Sequence, residues 1–539
     1  MNLMVYEYGE RLLVVDCGIT FPNNDTPGVD VIIPDVRYLE ENRERVEGFV
    51  LTHGHEDHIG AIPYLWPKVG GPVYGSPMTM AMVTSRLKEH SLDDKVPLRV
   101  ARPREVVQLG PFTVQFIAVT HSLVDCYALA ITTPAGTVIH TGDFRFDHTP
   151  VVGPASDLFT LAQYGEQGVL ALLSDSTNVQ VSGGSHPERV VRPVLDRLLK
   201  ETEELAVVAA FSSSIPRVQQ VLDAAEAAGR KVVLVGRSMT ANVQAARTLG
   251  LLRFDPTLLV DIKHLDALPR RMVLVLCTGT QAEPNSALFR IAHGEQKGID
   301  IQPGDRVILS SRFIPGNEQA IWEMINRLFK RGAEVFHTKN CEGIHVSGHA
   351  PVEDLKTMLA LTRPRYFVPI HGEQRHLHRH GQLAMEMGVP SENVLVVENG
   401  AVVEMDQGGI RRAGEVASGR VFVDGKGIGD VGDIVLRDRQ HLSEDGLVVA
   451  FLVVEKESDR VLQGPELLTR GVIHEDENPE LLAAARESVL EALAMGPRGM
   501  DFRDEEEAGV KELTSRALRR FFKKRLGRRP MVLPVVMEM

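Results

Sequence analysis

The sequence contains 539 residues, of which 43% are hydrophobic and 24% are charged, and its formal net charge is −13. At roughly 100–200 residues per domain this length predicts about three or four domains, and no apolar run approaches the roughly 18 residues of a membrane span. The negative charge argues against a protein that coats RNA non-specifically, but not against a nucleic-acid active site whose bound cations carry positive charge.

The start of the chain and its cysteines both point to a reducing compartment. Residues 1–16 have neither the basic region nor the small-residue cleavage site of a signal peptide. The cysteines are far apart and form no disulfide framework, so we interpret them as small buried residues. They are Cys17, Cys126, Cys277 and Cys341. The sequence therefore predicts a cytoplasmic protein.

The predicted elements change character twice along the chain. Up to about Glu188, short apolar runs end in Gly, Asp, Ser or His, as in layered folds that place site residues at strand ends. Helical patterns then alternate with buried-strand runs, which is typical of a parallel α/β domain. After Cys341 short strands return, together with a His-rich stretch at residues 368–380. We therefore predict one domain inserted into another.

The same pattern predicts the domain boundaries. The outer domain comprises residues 1–188 and 346–437, and the inserted α/β domain comprises residues 189–345. A polar turn, residues 438–446, is predicted to be a linker. Residues 447–539 are predicted to form a small C-terminal α/β domain.

The strongest chemical signal is the stretch Thr52-His53-Gly54-His55-Glu56-Asp57-His58, directly after an apolar strand. Alternate residues of an extended chain point the same way, so His53 and His55 can face one ion while Asp57 and His58 turn toward a second. Three further candidates follow other strand-like runs, namely His121, Asp143 and His371. A surface histidine cluster would not be expected to recur at four strand ends.

We predict a centre of two divalent cations, zinc or manganese, because imidazole and carboxylate ligands suit both metals. One ion is assigned to His53, His55 and His121, the other to Asp57, His58 and His371, and Asp143 bridges them. Two ions about 3.5–4 Å apart lower the pKa of a shared water and offset charge on a phosphoryl oxygen. The spacing alone therefore predicts a two-metal hydrolase.

These motifs, with Asp16 in VVDCG, resemble the signature of the metallo-β-lactamase superfamily. The inserted domain narrows the resemblance to the β-CASP branch, in which Asp175 in LLSDSTN and His349 in HVSGHA match two further motifs. The stretches THGHEDHIGAIPYL, HVSGHA, VPIHGEQRHL, GRVFVDGKGIGDVG and RPMVLPVVMEM together resemble bacterial ribonuclease J over nearly the whole chain. Members usually carry a Gly-rich strand before the position matching Met1, and a slightly different loop at residues 278–284.

The resemblance implies a metallo-β-lactamase αββα sandwich with an inserted β-CASP α/β domain. It implies a 5′-to-3′ exonuclease on single-stranded RNA that favours a 5′-monophosphate, with some endonuclease action, in mRNA decay and rRNA maturation. Its implied partners are RNA, copies of itself in a homodimer or tetramer, and an RNA-decay complex or the ribosome. Asp57, Asp175 and His349 would be catalytic, and Asp16 would orient a ligand histidine.

Substrate contacts are expected in three loops. His349 is suited to protonate the leaving 3′ oxygen, and its loop suits a phosphate, since Gly348 permits close approach and Ser347 offers a hydroxyl. That loop comprises His345, Val346, Ser347, Gly348 and His349. The second loop is Ser212, Ser213 and Ser214 before a helical pattern, where hydroxyls favour anions, although helix capping explains them almost as well. In the third, Arg312 would bind a phosphate and Phe313 would stack on a base.

Three alternatives stay open from the sequence. The first is another hydrolase of the superfamily acting on DNA, a lactam or a thioester; the inserted domain and HVSGH argue against the small substrates. The second is a non-catalytic RNA-binding subunit, which the complete ligand set disfavours. The third is a redox di-iron protein, a class that typically carries Glu where His55 stands. Separately, Asp30 and Asp424 lie in glycine-containing turns that could hold a structural Ca²⁺.

Overall fold

The computed structural model describes residues 1–23, 25–425, 427–455, 461–474, 477–495 and 506–539. These residues divide into two compact units, one comprising residues 1–20 and 33–420 and the other residues 21–32 and 421–539. The described helices all fall short of the combined length and apolarity that a bilayer span demands. All four cysteines are buried free thiols, which confirms their interpretation as small buried residues.

The strands up to residue 188 are β1 (Met4–Tyr8), β2 (Arg11–Val15), β3 (Val31–Pro34), β4 (Val46–Val50), β5 (Val73–Gly75), β6 (Leu98–Val100), β7 (Val106–Leu109), β8 (Phe112–Val119), β9 (Cys126–Thr133), β10 (Gly136–His140) and β11 (Ala171–Asp175). The helices are α1 (Arg37–Glu41), α2 (Glu56–Ile59), α3 (Ile62–Val69), α4 (Pro77–Glu89) and α5 (Leu158–Gln167). The inserted region contains β12 (Ala206–Ala209), β13 (Lys231–Val235), β14 (Val273–Cys277), β15 (Arg306–Leu309) and β16 (Glu334–Phe336), with α6 (Val191–Lys200), α7 (Ile215–Ala227), α8 (Arg237–Thr248), α9 (Ala287–His293) and α10 (Glu318–Lys330). The larger unit ends with α11 (Val352–Thr362), β17 (Tyr366–Ile370), α12 (Gln374–Glu386), β18 (Ala401–Met405) and β19 (Ile410–Glu415).

Two β-sheets pack face to face in the larger unit, with strand orders β1-β2-β4-β5-β6 and β17-β11-β10-β9-β8-β7. Successive side chains of a strand point to opposite faces, and β8 shows which face meets which layer. Phe112 and Phe116 pack between the sheets against Val50 of β4, whereas Ile117 and Val119 pack against the helical layer of α5, α11 and α12. Helix α4 contacts β5 and β6 of the first sheet. The predicted αββα sandwich is confirmed.

The inserted region forms a five-stranded sheet of order β13-β14-β12-β15-β16 in which every pairing is parallel. Strand β12 is apolar on both faces because each face is buried. Ala206 and Val208 pack against α6, α7 and α8, while Val207 and Ala209 pack against α9 and α10. The predicted parallel α/β architecture of the insert is therefore confirmed.

The smaller unit contains β20 (Arg420–Asp424), β21 (Gly427–Ile428), α13 (Asp433–Asp445), β22 (Leu447–Val454), β23 (Val461–Arg470), α14 (Pro479–Met495), α15 (Glu506–Leu526) and β24 (Met531–Glu538). Its sheet has the order β23-β22-β24, and Val448, Ala450 and Leu452 of β22 pack against α14 and α15. The linker predicted at residues 438–446 is wrong as a turn, because residues 438–445 continue α13. No helix breaker precedes Gly446, whose φ of 80° ends that helix.

Candidate metal centre

The candidate ligands stand at the ends of neighbouring strands. His121 follows β8, Asp143 follows β10 and His371 follows β17, while Asp175 ends β11 between the last two strands. The stretch 52–58 follows β4 of the facing sheet and enters α2 at Glu56. Both sheets therefore deliver polar side chains to the same edge of the sandwich.

Three imidazole rings form the first candidate site. His53 Nε2 lies 3.0 Å from His55 Nδ1, which lies 3.2 Å from His121 Nε2. Metal–nitrogen bonds of roughly 2.0–2.1 Å in a tetrahedron place the ligand nitrogens about 3.3 Å apart, so these separations fit a zinc-sized ion. The carboxylate of Asp143 completes the group, with Oδ2 3.7 Å from His53 Nε2.

The second candidate site contains Asp57, His58 and His371. Asp143 reaches this site as well, because its Oδ1 lies 3.3 Å from His58 Nε2 and its Oδ2 lies 3.2 Å from His371 Nε2. Asp57 Oδ2 lies 3.6 Å from His58 Nε2. Asp143 therefore lies between the two groups, which is the position that a bridging ligand requires.

Outer hydrogen bonds fix which nitrogen of each ring faces the centre. His58 Nδ1 lies 2.7 Å from Asp16 Oδ2, and Asp16 also accepts from Thr52 N and Thr52 Oγ1 at 2.8 Å each. His53 Nδ1 lies 3.0 Å from Thr52 Oγ1, and His121 Nδ1 lies 2.7 Å from the carbonyl oxygen of Gly348. Such partners orient a ligand imidazole and raise its basicity. Asp16 thus makes the contact that its predicted orienting role needs.

The electrostatics of the centre suit cations. Burial lowers the pKa of His53 and of His121 well below the ordinary value, so both rings are neutral and can donate a lone pair. Burial would also lower the pKa of His58, but the carboxylates led by Asp143 raise it well above that value. Asp143 Oδ1 is buried, and among the described residues it has no hydrogen-bond donor. A divalent cation would compensate this carboxylate, so the residues fit a metal.

Two glycines allow the chain to close around the ligands. A Cβ on Gly18 would lie 1.6 Å from the carbonyl oxygen of Asp57, and one on Gly348 would lie 2.7 Å from Cε1 of His121. Real Cβ atoms do not approach other heavy atoms so closely. These positions therefore need glycine because of close approach, not because of their backbone angles.

The loop of residues 345–349 lies beside the ligands and carries a histidine–carboxylate pair. His349 Nδ1 lies 2.8 Å from Asp175 Oδ2, and Asp175 Oδ1 accepts from the backbone of Thr177 at 3.0 Å. Burial would lower the pKa of His349, but Asp175 and then Asp143 raise it to about 9. Asp175 and His349 also form a possible ligand group with Asp143 and His371.

Asn178 connects this loop to the predicted phosphate contact Arg312. Its Nδ2 donates to Ser347 Oγ at 2.9 Å and to the His349 carbonyl oxygen at 3.1 Å. Its Oδ1 accepts from the exposed Arg312 guanidinium at 3.2 Å. Asn178 thus brings Arg312 beside the loop of residues 345–349, and the phosphate contact of Arg312 stays a prediction.

A buried ionic network lies beneath the loop. Arg217 donates to Glu188 Oε1 at 2.8 Å, to the Ser310 carbonyl oxygen at 2.9 Å and to the Ile344 carbonyl oxygen at 3.4 Å. Glu188 Oε2 accepts from Arg145 at 3.2 Å. All three charged side chains are at most 5% exposed. The network joins the sandwich to the insert directly before His345.

Other predicted contacts lie elsewhere. Phe313 is 7% exposed and packs inside the insert against Trp322, so the expected base stacking is wrong, because its apolar ring is used by the core. Val346 packs against the insert core. Ser214 directly precedes α7 but makes no side-chain cap bond, whereas Ser212 accepts from Asn242 Nδ2 at 3.1 Å through its carbonyl oxygen. Ser213 is half-buried between them.

The carboxylates expected to hold Ca²⁺ have other partners. Asp424 Oδ2 accepts from Arg439 at 2.6 Å, and Asp30 Oδ2 accepts from the backbone N–H of Gly425 at 2.8 Å. The guanidinium already supplies the positive charge that a cation would bring. Among the described residues, the ligand clusters all belong to the centre above. The calcium site at Asp30 and Asp424 therefore stays a prediction.

The sequence analysis missed several residues of the centre. Asn2 contacts the second candidate site, and Asn178, Arg217 and Glu188 support the loop before it. Asn178 follows Asp175 within LLSDSTN, so proximity to a predicted catalytic residue was an available signal. No such signal pointed to Asn2, Arg217 or Glu188, because their contact partners lie far away in the sequence.

Four protein-family models match this chain. They are the metallo-beta-lactamase superfamily over residues 2–181, the ribonuclease J beta-CASP domain over residues 203–328, the Zn-dependent metallo-hydrolase RNA specificity domain over residues 339–397, and the ribonuclease J C-terminal domain over residues 434–539. The matches follow one another along nearly the whole chain.

Several relatives align with this chain over most of its length and most of their own. Ribonuclease J of Synechocystis sp. is 46% identical over 88% of this chain and 73% of its own length. Ribonuclease J of Mycolicibacterium smegmatis is 41% identical over 100% and 95%, and ribonuclease J 1 of Streptococcus pyogenes is 38% identical over 99% and 95%. A crystal structure of a protein of unknown function from Enterococcus faecalis V583 has a TM-score of 0.50 at 18% identity, over 74% of this chain and 94% of that chain. That likeness supports the fold alone.

Proposed function

Because this chain belongs to the ribonuclease J family, we propose that it is a metal-dependent ribonuclease that hydrolyses single-stranded RNA. The resemblance predicted from the motifs is confirmed by these matches. The observation that carries the proposal is the convergence of five histidines, Asp57 and Asp143 on one centre beside the His349–Asp175 pair. A binding subunit without turnover would have no use for so complete a set.

The centre is proposed to hold two divalent cations, zinc or manganese, with Asp143 shared between them. When bound, the ions supply a lowered water pKa at neutral pH and compensation of phosphoryl charge. The chain contributes preorganisation: Asp16 and Thr52 fix the rings of His58 and His53 before any substrate arrives. Asp57 contributes one carboxylate oxygen to the second site.

His349 is proposed as the general acid. Its Nδ1 is held by Asp175, so the other ring nitrogen, Nε2, is left to transfer a proton. When water adds to phosphorus and the P–O3′ bond breaks, this proton passes to the departing oxygen and a 3′-hydroxyl results. Asp175 acts through His349 by orienting the ring and favouring its protonated form.

The loop of residues 345–349 and Arg312 are proposed to bind the phosphate backbone. The backbone at Gly348 lies against the proposed metal ligand His121, so a phosphate held by this loop would also be close to the cations. Ser212, Ser213 and Ser214, at the start of α7, are proposed to line the path of the strand with their hydroxyls. Asn178 bonds to both Arg312 and Ser347 and so holds them at fixed positions relative to each other.

We further propose the finer activity that the family resemblance implied. The chain acts as a 5′-to-3′ exonuclease that favours a 5′-monophosphate, with some endonuclease action, in mRNA decay and rRNA maturation. It works in the cytoplasm as a homodimer or tetramer, with an RNA-decay complex or the ribosome as further partners. The domain boundaries of the sequence analysis stay a prediction.

A paired-substrate assay tests this function. With Mn²⁺ or Zn²⁺, we expect 5′-monophosphate RNA to be degraded to mononucleotides faster than the 5′-triphosphate form of the same RNA, and DNA of that sequence to be cut far more slowly. Denaturing gels of end-labelled strands measure all three rates. Equal or faster DNA cleavage would favour another superfamily hydrolase, and RNA binding without turnover would favour a non-catalytic subunit.

Replacing His349 by alanine is expected to lower kcat by about 10²–10⁴-fold with a smaller change in KM, because proton transfer is needed only as the bond breaks. Single-turnover hydrolysis of a labelled RNA measures the chemical step. His378→Ala, on the exposed side of α12, is the control and should retain the unsubstituted rate. Unchanged single-turnover rates in His349→Ala would remove His349 from the proposed acid role.

A further inference from the structure

Asn2 lies against the second candidate metal site without being a metal ligand. It is 8% exposed, and its side chain contacts every member of the group formed by Asp57, His58 and His371. Apart from the shared Asp143, these three residues are the whole proposed second site. A single amide that meets all of them can control whether they form one site.

The carbonyl end of the Asn2 amide governs His371. Asn2 Oδ1 lies 3.0 Å from His371 Nδ1 and, as an amide oxygen, accepts a hydrogen bond from it. In a neutral ring whose Nδ1 carries the proton, the lone pair of Nε2 would face Asp143, 3.2 Å away, and would be free for a cation. Asp16 orients the ring of His58 in the same way. His371 follows β17 and has a left-handed φ of 52°. Among the described residues, Asn2 is the outer hydrogen-bond partner of His371 Nδ1.

The amino end of the same amide faces the other two members. Asn2 Nδ2 lies 3.0 Å from His58 Nε2 and 3.3 Å from Asp57 Oδ2. These two atoms would contact an ion. The partly positive amide hydrogens of Asn2 hold them together before an ion binds. Asn2 Nδ2 also donates to the Asp57 carbonyl oxygen at 3.1 Å, which keeps this amide end in position.

The backbone of Asn2 holds the ligand loop in place. Its N–H donates to the Asp57 carbonyl oxygen at 2.8 Å, and its carbonyl oxygen accepts from Gly18 N at 2.9 Å. The neighbouring Cys17 N–H donates to the His58 carbonyl oxygen. Asn2 therefore links the strand-end segment at Gly18 to the loop that carries Asp57 and His58.

We propose that Asn2 is the positioning residue that assembles the second metal site and sets the affinity of its ion. The inference rests on the proposed two-metal function and names a residue that tunes one of the two ions. At the first site, the outer partners of His53 and His121 are Thr52 and the Gly348 carbonyl oxygen instead of Asn2. Loss of the Asn2 amide should therefore lower the affinity of the second site for its ion and leave the affinity of the first site nearly unchanged.

Metal titration of the full chain tests this proposal. Metal-depleted protein is titrated with Mn²⁺, and free Mn²⁺ is followed by electron paramagnetic resonance, with spin coupling of the bound pair as the signature of a filled second site. In Asn2→Ala we expect the weaker binding step to lose about 10–100-fold in affinity, as for other outer partners of metal ligands, while the tighter step changes little. The spin-coupled signal should disappear at a Mn²⁺ concentration that fills both sites of the unsubstituted chain.

Two further variants complete the design. Asn2→Asp keeps an oxygen acceptor for His371 and should restore much of the affinity that Asn2→Ala loses. Asn2→Gln displaces the amide by one methylene and should lower the affinity of the second site. This variant tests the proposal even if Asn2→Ala does not fold. Asn242→Ala is the matched control, because Asn242 has the same 8% exposure and bonds to Ser212 in the insert. Its titration should coincide with that of the unsubstituted chain.

The outcomes separate this inference from the function on which it rests. If the unsubstituted chain binds two ions and both Asn2→Ala and Asn2→Gln bind them with unchanged affinities, the role of Asn2 is overturned and the two-metal function stands. Equal weakening of both steps in a variant that melts cooperatively would also overturn it, since that is the mark of a merely structural residue. An unsubstituted chain that binds no second ion would overturn both proposals.

Discussion

Replacing Asp143 by alanine is expected to remove both bound cations and to lower RNA hydrolysis by more than about 10³-fold. Removal of one charge-stabilising donor from an active site already costs roughly 10²–10³-fold, and Asp143 is proposed to serve both ions. Its Oδ1 faces His58, and its Oδ2 lies within 3.8 Å of His53, His121 and His371. Among the described residues it is the carboxylate common to the two proposed sites.

The measurement pairs metal content with turnover. Elemental analysis after dialysis should give two ions per unsubstituted chain and fewer than one for Asp143→Ala. Asp143→Asn keeps the size of the side chain but not its charge, and it should behave like the alanine variant, since the charge is what compensates the cations. A fully metallated and fully active Asp143→Asn would contradict the bridging assignment.

Asp125→Asn is the control for general loss of negative charge. Asp125 has a left-handed φ of 56°, which asparagine tolerates, and it belongs to none of the ligand clusters among the described residues. Burial raises the pKa of Asp125, so neutralising it should not weaken the fold. Metal content and turnover of this variant should match those of the unsubstituted chain.

The ligands of the centre could be predicted from the sequence because each stands where an apolar strand ends. His53 and His55 are two residues apart, and His121, Asp143 and His371 end runs whose periodicity already indicates strands. The apolar run in β12 likewise predicts a strand that is buried on both faces of its sheet. Local patterns therefore predict the sandwich, the parallel insert and the candidate ligands.

The supporting residues could not be predicted, since their roles arise only from contacts between distant segments. Asn2 meets His371 across 369 positions, and Arg217 meets Ile344 across 127 positions. Phe313 stands at a strand end like a ligand residue, yet its ring packs against Trp322. The linker prediction relied on polarity alone, and a polar run without a breaker forms an exposed helix as readily as a turn.

Replacing Glu188 by alanine is expected to destabilise the larger unit by about 3–5 kcal/mol, because it leaves two buried guanidinium groups without their shared carboxylate. Arg217 and Arg145 are 3% and 2% exposed, and among the residues that the structure describes only Asp147, 3.4 Å from Arg145, would remain as a counter-charge. The two tryptophans of the chain, Trp66 and Trp322, lie in α3 and α10, so their fluorescence reports urea unfolding of both parts of that unit. The urea midpoint should fall markedly.

A surface ion pair provides the matched control for this substitution. Glu353 pairs with Lys356 at 2.9 Å, but the two side chains are 57% and 36% exposed. Solvent screens such a pair, so Glu353→Ala should cost less than about 1 kcal/mol. In a double-mutant cycle, Glu188→Ala with Arg217→Met should cost less than the sum of the single changes, since removing both partners leaves no uncompensated charge at that pair.

Glu188→Ala should also weaken RNA binding, because Arg217 connects Glu188 to the loop of residues 345–349, which is proposed to bind the RNA. Its guanidinium donates to the carbonyl oxygens of Ser310 and Ile344, and Ile344 directly precedes His345. Below the temperature at which Glu188→Ala unfolds, we expect KM for RNA to rise while both cations stay bound, since none of their ligands touches the network. A destabilised variant with an unchanged KM would show that the network stabilises the fold without positioning the loop.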